Sequence, residues 1–198
     1  MGITLPDYSV PKGGRLTQVV HHSSFIIYHS LSTLKQHLLD YAQYNLWANQ
    51  RLAELFRQQS DELLQTPIVS SFPSVRDTFL HLWSVEFVWQ ERLKGVSPKE
   101  FPANNFKGTN AEIFDRLLSV SQGLVDFIAA QDDAFFATPI EFTLLTATGT
   151  FRQLPQDMLH HLFNHQTMHR GQLITMGRQL GLTAFPRTDY IIWVREKF

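Results

Sequence analysis

Apolar residues recur every three or four positions through four long segments of this chain, and this period constrains the fold more than any other feature. In the first segment one apolar face steps from Leu34 to Leu55. Such a period is that of an amphipathic α-helix, whose apolar stripe must be buried against other elements. Thr33, Ser74 and Thr109 precede the first three segments, and a hydroxyl at this position caps a helix N-terminus. The pattern therefore predicts an all-α fold, a four-helix bundle.

The predicted helices end where proline, glycine or polar residues break the period. They run over about Thr33–Gln58, from Ser74 to the stop signals Gly95 and Pro98, from Thr109 to near Gln131, and from Pro155 to about Leu180. Between Ile140 and Leu154 the threonine-rich composition predicts two short strands or an extended loop instead. Ile191–Lys197 is predicted to form a short C-terminal helix. The long connection before the last long helix makes this a bundle with a crossover connection.

The composition fits one globular domain that binds neither nucleic acid nor a membrane. The 198 residues include 17 basic and 18 acidic side chains, so no strong field is available to attract nucleic acid. No segment approaches the roughly 20 apolar residues of a membrane span. Because the sequence contains no cysteine, any metal must be held by nitrogen or oxygen. We predict an irregular leader over residues 1–32, where no helical period or secretory signal is found, a single domain over 33–198, and a cytoplasmic location.

Four histidines are the strongest indication of function. His161, His165 and His169 lie four residues apart in the last long helix, which places successive Cβ atoms roughly 5–6 Å apart on one face. His81 falls in the middle of the second predicted helix, among apolar residues. In helical bundles, metal sites are commonly built from side chains that project inward from facing helices. From spacing alone two interpretations stay open: a metal site, or histidines that are hydrogen-bonded polar residues of the core.

Glu86 is the carboxylate closest in sequence to the isolated histidine. It follows that histidine by five residues, about 500° of helical rotation, and so leaves the helix in a different direction. This makes Glu86 a doubtful general base. We predict a buried structural carboxylate that pairs with Arg92, with Arg170 or with another helix.

Polar residues around the histidines are predicted to position other groups. Asn45 and Asn164, from two different helices, are candidates for orienting a ligand imidazole or for bridging helices. Arg170 and Gln172, which follow the last histidine, are predicted to hold contacts within the bundle or a dimer. No catalytic residue is assigned from the sequence.

The segment Asn164–Leu173 contains Asn-His, three intervening residues, and then His-Arg-Gly-Gln. This arrangement resembles the last-helix signature of the DinB/YfiT-like family of metalloenzymes. Further matches follow in the family's order along the chain: Tyr44–Asn49, His81 with Glu86 and Trp89, and Pro186–Tyr190. The resemblance covers about Leu34 to Phe198. One difference is Met168, where members often have a histidine that is not one of the usual ligands.

The resemblance implies a site and a chemistry. Carried over by position, it assigns His81, His165 and His169 as ligands of one divalent metal ion, zinc or nickel, and gives His161 no ligand role. Three imidazoles leave at least one coordination position free for water or substrate. The family implies a metal-dependent S-transferase that acts with a small-molecule substrate such as a low-molecular-weight thiol, or a related isomerase or hydrolase, in a homodimer. The alternatives are a non-catalytic metal-binding or stress-associated helical protein and an interaction bundle without metal.

Overall fold

Four long helices form the bundle that the periodicity predicts. In chain order the elements are α1 (Leu34–Arg57), α2 (Asp61–Gln65), α3 (Val75–Leu93), a 3-10 helix (Pro102–Asn105), α4 (Asn110–Ala130), α5 (Asp133–Ala137), β1 (Ile140–Thr143), β2 (Thr150–Gln153), α6 (Pro155–Gln179) and α7 (Tyr190–Lys197). The two helices α1 and α3 each pack against both α4 and α6. The computed structural model describes residues 33–197, so the leader predicted for residues 1–32 lies outside them. Within this range no helix has the length and apolar character needed to cross a membrane.

Caps fix where the long helices begin. The hydroxyls of Thr33 and Ser74 each accept a hydrogen bond from the backbone N–H three residues further on, at 3.2 and 3.1 Å. Thr109 and Glu112 form a reciprocal capping box at the start of α4. α6 begins with Pro155, which lacks the N–H that would find no partner in a first turn. The starts of all four long helices therefore confirm the prediction from sequence to within one or two residues.

Three short helical elements were not predicted. α2, α5 and the 3-10 helix have only four or five residues, which is too short for an apolar period to show. Local capping produces two of them, because the side chains of Ser60 and Asp132 accept hydrogen bonds from the first turns of α2 and α5. The short elements follow from single polar residues rather than from a repeated pattern.

The predicted strand pair is confirmed as an antiparallel hairpin. Phe142 of β1 lies opposite Phe151 of β2, and Gly149 takes a positive φ of 107° in the turn that joins them. Phe142 is 3% exposed, and its ring contacts Trp89 of α3 edge-on with the ring centres 5.6 Å apart. This contact holds the hairpin against α3.

A buried polar layer separates two apolar clusters in the bundle core. One cluster contains Phe56 and Phe79, and the other contains Leu38 and Leu162. The polar layer draws a residue from every long helix: Asn45, Asn49, Glu86, Ser121, Gln166 and Arg170. Polar groups removed from water must find partners among themselves, so this layer constrains how the four helices align.

Candidate metal centre

Three histidine rings from two helices meet at one point. His81 projects from α3, while His165 and His169 project from successive turns of α6. The Nε2 atom of His165 lies 2.9 Å from Nε2 of His81 and 3.1 Å from Nε2 of His169. One nitrogen from each ring lies within 4.8 Å of the other two. The cluster is compatible with a divalent metal site, because such an ion accepts imidazole nitrogens at about 2.0–2.1 Å.

All three imidazoles are held in the neutral form, which is the form that binds metal. Burial, together with the nearby His169, lowers the pKa of His81 to about 4. Burial, together with the three neighbouring histidines, lowers the pKa of His165 to about 3. The pKa of His169 is also lowered by burial. Each ring therefore carries one lone pair at neutral pH.

Gln172 determines which nitrogen of His169 carries the lone pair. The amide nitrogen of Gln172 donates to Ser71 Oγ at 2.8 Å, so its oxygen faces the histidine. His169 Nδ1 then donates its proton to Gln172 Oε1 at 2.7 Å, which leaves the lone pair on Nε2. The sequence predicted only a bundle or dimer contact for Gln172. Its position three residues after His169 on a helix is a sequence signal for this role that the prediction did not use.

The facing nitrogens cannot satisfy one another by hydrogen bonds alone. His165 Nε2 approaches two other Nε2 atoms, yet it carries either one proton or one lone pair. The Nδ1 atom of the same ring is buried and has no hydrogen-bond partner among the described residues. A cation placed between the rings satisfies all three lone pairs at once, so the donor set fits a divalent ion.

Two cavities open on either side of the histidine cluster. A cavity of about 540 Å³ is lined by His81 and by the ring of Phe72, whose centre lies 4.2 Å from that of His81. A second cavity of about 240 Å³ is lined by His165. Phe101 and Thr146 line both cavities. Small molecules can thus reach His81 from one cavity and His165 from the other, while His169 lines neither.

His161 lies outside the three-nitrogen cluster. It is exposed, its ring centre is 6.1 Å from that of His165, and it packs against Trp89 at 4.9 Å. It lines the cavity on the His165 side. His161 therefore lies beside the cluster, and its exclusion from the ligands stays a prediction.

Glu86 belongs to the polar layer and not to the histidine cluster. Its side chain is fully buried and accepts a hydrogen bond from Asn45 Nδ2 at 3.0 Å. Burial raises the pKa of Glu86 to about 7, although Ser121, Arg170 and Asn45 favour the charged form. The prediction of a buried structural carboxylate agrees with this environment, and Glu86 lines neither cavity beside the histidines.

The two predicted asparagines differ in role. Asn45 bridges helices, because its oxygen accepts from Arg170 Nη1 while its amide nitrogen donates to Glu86. Asn164 is exposed, and within residues 33–197 it makes no hydrogen bond to a histidine of the cluster. Arg170 holds the bundle together as predicted, since it also donates to Asn49 and Thr167.

Comparison with known proteins places this arrangement in a family. A sequence model described as DinB family matches residues 34–195. Protein DinB from Bacillus subtilis (strain 168) is 28% identical in an alignment of 159 positions that covers 77% of this chain and 90% of that protein. The fold and the histidine cluster together define a DinB-like helical bundle. The chain belongs to the DinB family.

Solved structures share the fold. A DinB-like protein from Bacillus cereus ATCC 10987 superposes with a TM-score of 0.58 at 20% identity, covering 74% of this chain and 94% of that chain. A DinB-like protein from Bacillus subtilis gives a TM-score of 0.52 at 13% identity and covers 79% of this chain and 97% of its own. At these identities the likeness establishes the bundle architecture alone.

Proposed function

We propose that this chain is a metal-dependent enzyme in which His81, His165 and His169 hold one divalent ion and which transfers a low-molecular-weight thiol to a small acceptor. The observation that carries the proposal is the position of the histidine cluster between two cavities. A transfer reaction needs two organic molecules at one centre, whereas hydrolysis needs one and water. Two cavities, one lined by His81 and the other by His165, suit the first requirement.

The donor set favours zinc or nickel as the ion. Three neutral imidazole nitrogens suit late divalent ions of the first transition row, which bind such ligands more tightly than iron or manganese. With no fourth histidine in the cluster, a coordination position stays free for a ligand. When bound, such an ion acts as a Lewis acid that lowers the pKa of a coordinated water or thiol.

The residues around the cluster orient it and limit its access to water. Gln172 fixes the ring of His169 through Nδ1. The ring of Phe72 packs against His81 and lies 5.5 Å from His169, centre to centre, so that an apolar surface covers this side. Phe101 and Thr146 line both cavities. Two molecules bound in the two cavities would therefore approach each other beside these residues.

X-ray absorption of the purified, metal-loaded protein tests the proposal. Spectra at the metal edge are recorded with cysteine, glutathione and 2-mercaptoethanol, and with serine and ethanol as oxygen controls. We expect the thiols to add a sulfur scatterer at about 2.3 Å, and we expect the alcohols not to do so. First-shell scattering that stays unchanged with every thiol would support the alternative of a non-catalytic metal-binding bundle.

A transfer assay gives the complementary readout. The free thiol is mixed with an aryl halide, and its consumption is measured by absorbance. His169→Ala is the variant expected to be inactive, and His161→Ala is the matched control. A rate that requires His169 but not His161 supports the proposal. We also propose a homodimer, which light scattering of the purified chain checks directly.

A further inference from the structure

Arg92 is a buried cation to which residues 33–197 offer no anionic partner. Its side chain on α3 is only 3% exposed, and no carboxylate within the described residues forms an ion pair with it. Its Nε is buried and donates to no acceptor in this part of the chain. Arg92 was one of the alternative partners predicted for Glu86, and this alternative is wrong because Glu86 accepts from Asn45 of another helix in the polar layer. Burial of an unpaired guanidinium is strongly unfavourable, so an arginine placed in this way calls for an anion.

Comparison with Arg170 shows that a buried arginine in this bundle can have all its partners, so burial alone does not account for the unpaired state of Arg92 within residues 33–197. Both side chains are 3% exposed. Arg170 donates hydrogen bonds to Asn45, Asn49 and Thr167, and the charge of Glu86 acts on it. Arg170 is therefore satisfied within the bundle, whereas Arg92 is not.

Two aromatic rings position the Arg92 guanidinium. Its central carbon lies 4.7 Å from the ring centre of Trp89 and 5.3 Å from that of Phe142. Cation–π contacts of this kind stabilise the positive charge. Within residues 33–197 the N–H groups of Arg92 donate no hydrogen bond, so they stay available to an acceptor.

Arg92 lines the cavity that also contains a histidine of the cluster. This cavity of about 240 Å³ is bounded by Arg92, His161 and His165, and its other walls are mainly apolar side chains such as Val88 and Leu144. A neighbouring cavity of about 420 Å³ shares Trp89, Leu144, Thr146 and His161 with it. The carboxylate of Asp157 lines only the neighbouring cavity and forms no ion pair with Arg92 among the described residues.

We propose that Arg92 binds the carboxylate group of a small organic acid whose apolar part occupies the cavity beside His165. The guanidinium fork matches the two oxygens of a carboxylate, and a single arginine between aromatic and aliphatic walls suits one negative charge. A phosphate carries up to two negative charges, and Arg92 is the one Lys or Arg side chain that lines this cavity among the described residues. The inference rests on the proposed function only in making this acid a substrate of the histidine centre, since binding itself requires no metal.

Binding of benzoate and of its neutral analogue benzamide tests the proposal. Isothermal titration calorimetry is performed on the full chain, both as purified and after chelation, and the arginine Nε–H signals are followed by NMR. We expect saturable benzoate binding with a shifted Arg92 Nε–H resonance, and benzamide binding that is weaker by about tenfold or more. Equal affinity for the two compounds, or no saturable benzoate binding, would overturn the proposal.

Variants separate recognition from folding. Arg92→Gln is expected to reduce benzoate affinity at least tenfold, and Arg92→Lys to retain part of it because the charge remains without the fork. Arg116→Gln is the matched control: Arg116 also lies over two aromatic rings, Trp83 and Phe106, but it does not line this cavity. Unchanged benzoate binding in both Arg92 variants contradicts the proposal. If Arg92→Gln fails to fold, the comparison of benzoate with benzamide in the unaltered chain still tests whether the cavity recognises a carboxylate.

Two further measurements identify the source of the carboxylate and keep this inference distinct from the metal centre. The carboxylate belongs to the thiol substrate if N-acetylcysteine displaces benzoate and the amide of N-acetylcysteine does not. It belongs to the acceptor if neither compound displaces benzoate. His81→Ala alters the histidine cluster without touching the Arg92 cavity. Benzoate binding that persists in this variant, together with loss of metal, supports the inference independently of the proposed function.

Discussion

His169 and Gln172 lie on one face of α6, three residues apart, and the 2.7 Å hydrogen bond from His169 Nδ1 to Gln172 Oε1 directs the other ring nitrogen into the histidine cluster. The bond sets the tautomer of the ring as well as its orientation. Ser71 completes the arrangement from the loop before α3, since it accepts from the Gln172 amide. A segment far from α6 in sequence thus contributes to the geometry of a ligand nitrogen.

Replacing Gln172 by methionine is expected to lower metal affinity by roughly 10- to 100-fold, because the acceptor for Nδ1–H is removed. Competition with a chromophoric chelator measures the affinity. Gln172→Glu, which keeps an acceptor oxygen, should retain most of it. Gln179→Met on the exposed end of the same helix is the control, and an equal loss in both methionine variants would show that Gln172 has no special role.

Single replacement of each cluster histidine is expected to abolish stoichiometric metal binding. His81→Ala, His165→Ala and His169→Ala each remove one of three nitrogens, and two imidazoles hold a divalent ion far more weakly than three. Metal content is measured by mass spectrometry of digested, purified protein. His161→Ala should bind metal like the unaltered chain. A similar loss in all four variants, or in none, rules out the three-ligand assignment.

Glu86 is expected to make stability depend on pH in the opposite direction to an ordinary surface carboxylate. Its pKa of about 7 in the folded chain exceeds the unfolded value of 4.5, so the folded state retains a proton that the unfolded state loses. The favourable contribution of Glu86 to the free energy of unfolding is complete below about pH 4.5 and is lost as the pH rises to about 7. The change is on the order of 3 kcal/mol at most.

Urea unfolding between pH 4.5 and 7.5, with chelator present, measures this effect. Glu86→Gln cannot titrate, whereas the cluster histidines titrate alike in both chains. The difference in the free energy of unfolding between this variant and the unaltered chain should therefore change between pH 4.5 and 7 by the amount assigned to Glu86. Glu54→Gln, on an exposed position of α1, should leave the profile unchanged. A Glu86→Gln profile parallel to that of the unaltered chain would mean that burial does not shift this carboxyl group.

Phe142→Ala is expected to destabilise the fold by about 3 kcal/mol, since a ring that is 3% exposed is removed from between α3 and the hairpin. The same change removes one of the two rings over Arg92. Chemical unfolding measures the loss of stability, and benzoate titration the effect on Arg92. Phe151→Ala, which truncates the half-buried partner across the strand pair, should be less damaging. Equal effects on stability would show that Phe142 does not anchor the hairpin.

The sequence predicted those features that one segment determines alone. The spacing of His165 and His169 predicted two rings on one face of α6, and hydroxyl caps predicted where α1, α3 and α4 begin. The approach of His81 to these rings depends on how α3 packs against α6, which no local pattern encodes. Resemblance to the family supplied that pairing, and the geometry agrees with it.

Partners of charged residues were harder to predict for the same reason. Glu86 is buried as expected, but its contact with Asn45 crosses from α3 to α1. Arg92 does not have its expected role as a partner of Glu86, because its surroundings include Phe142 of the hairpin and His165 of α6, which lie far from it in sequence. A charge on a helix indicates that a partner is needed, while the packing of the whole bundle decides which one it meets.

The polar layer helps to fix the distances between the histidines of α3 and those of α6. Arg170 directly follows His169 on α6, and Glu86 lies little more than one turn beyond His81 on α3. If α6 slid along its neighbours by one turn, about 5.4 Å, Arg170 would leave Asn45 and Asn49 and be stranded among aliphatic side chains. The ionic and amide contacts at mid-bundle therefore lock the longitudinal register of the helices, and with it the separation of imidazoles that belong to different helices.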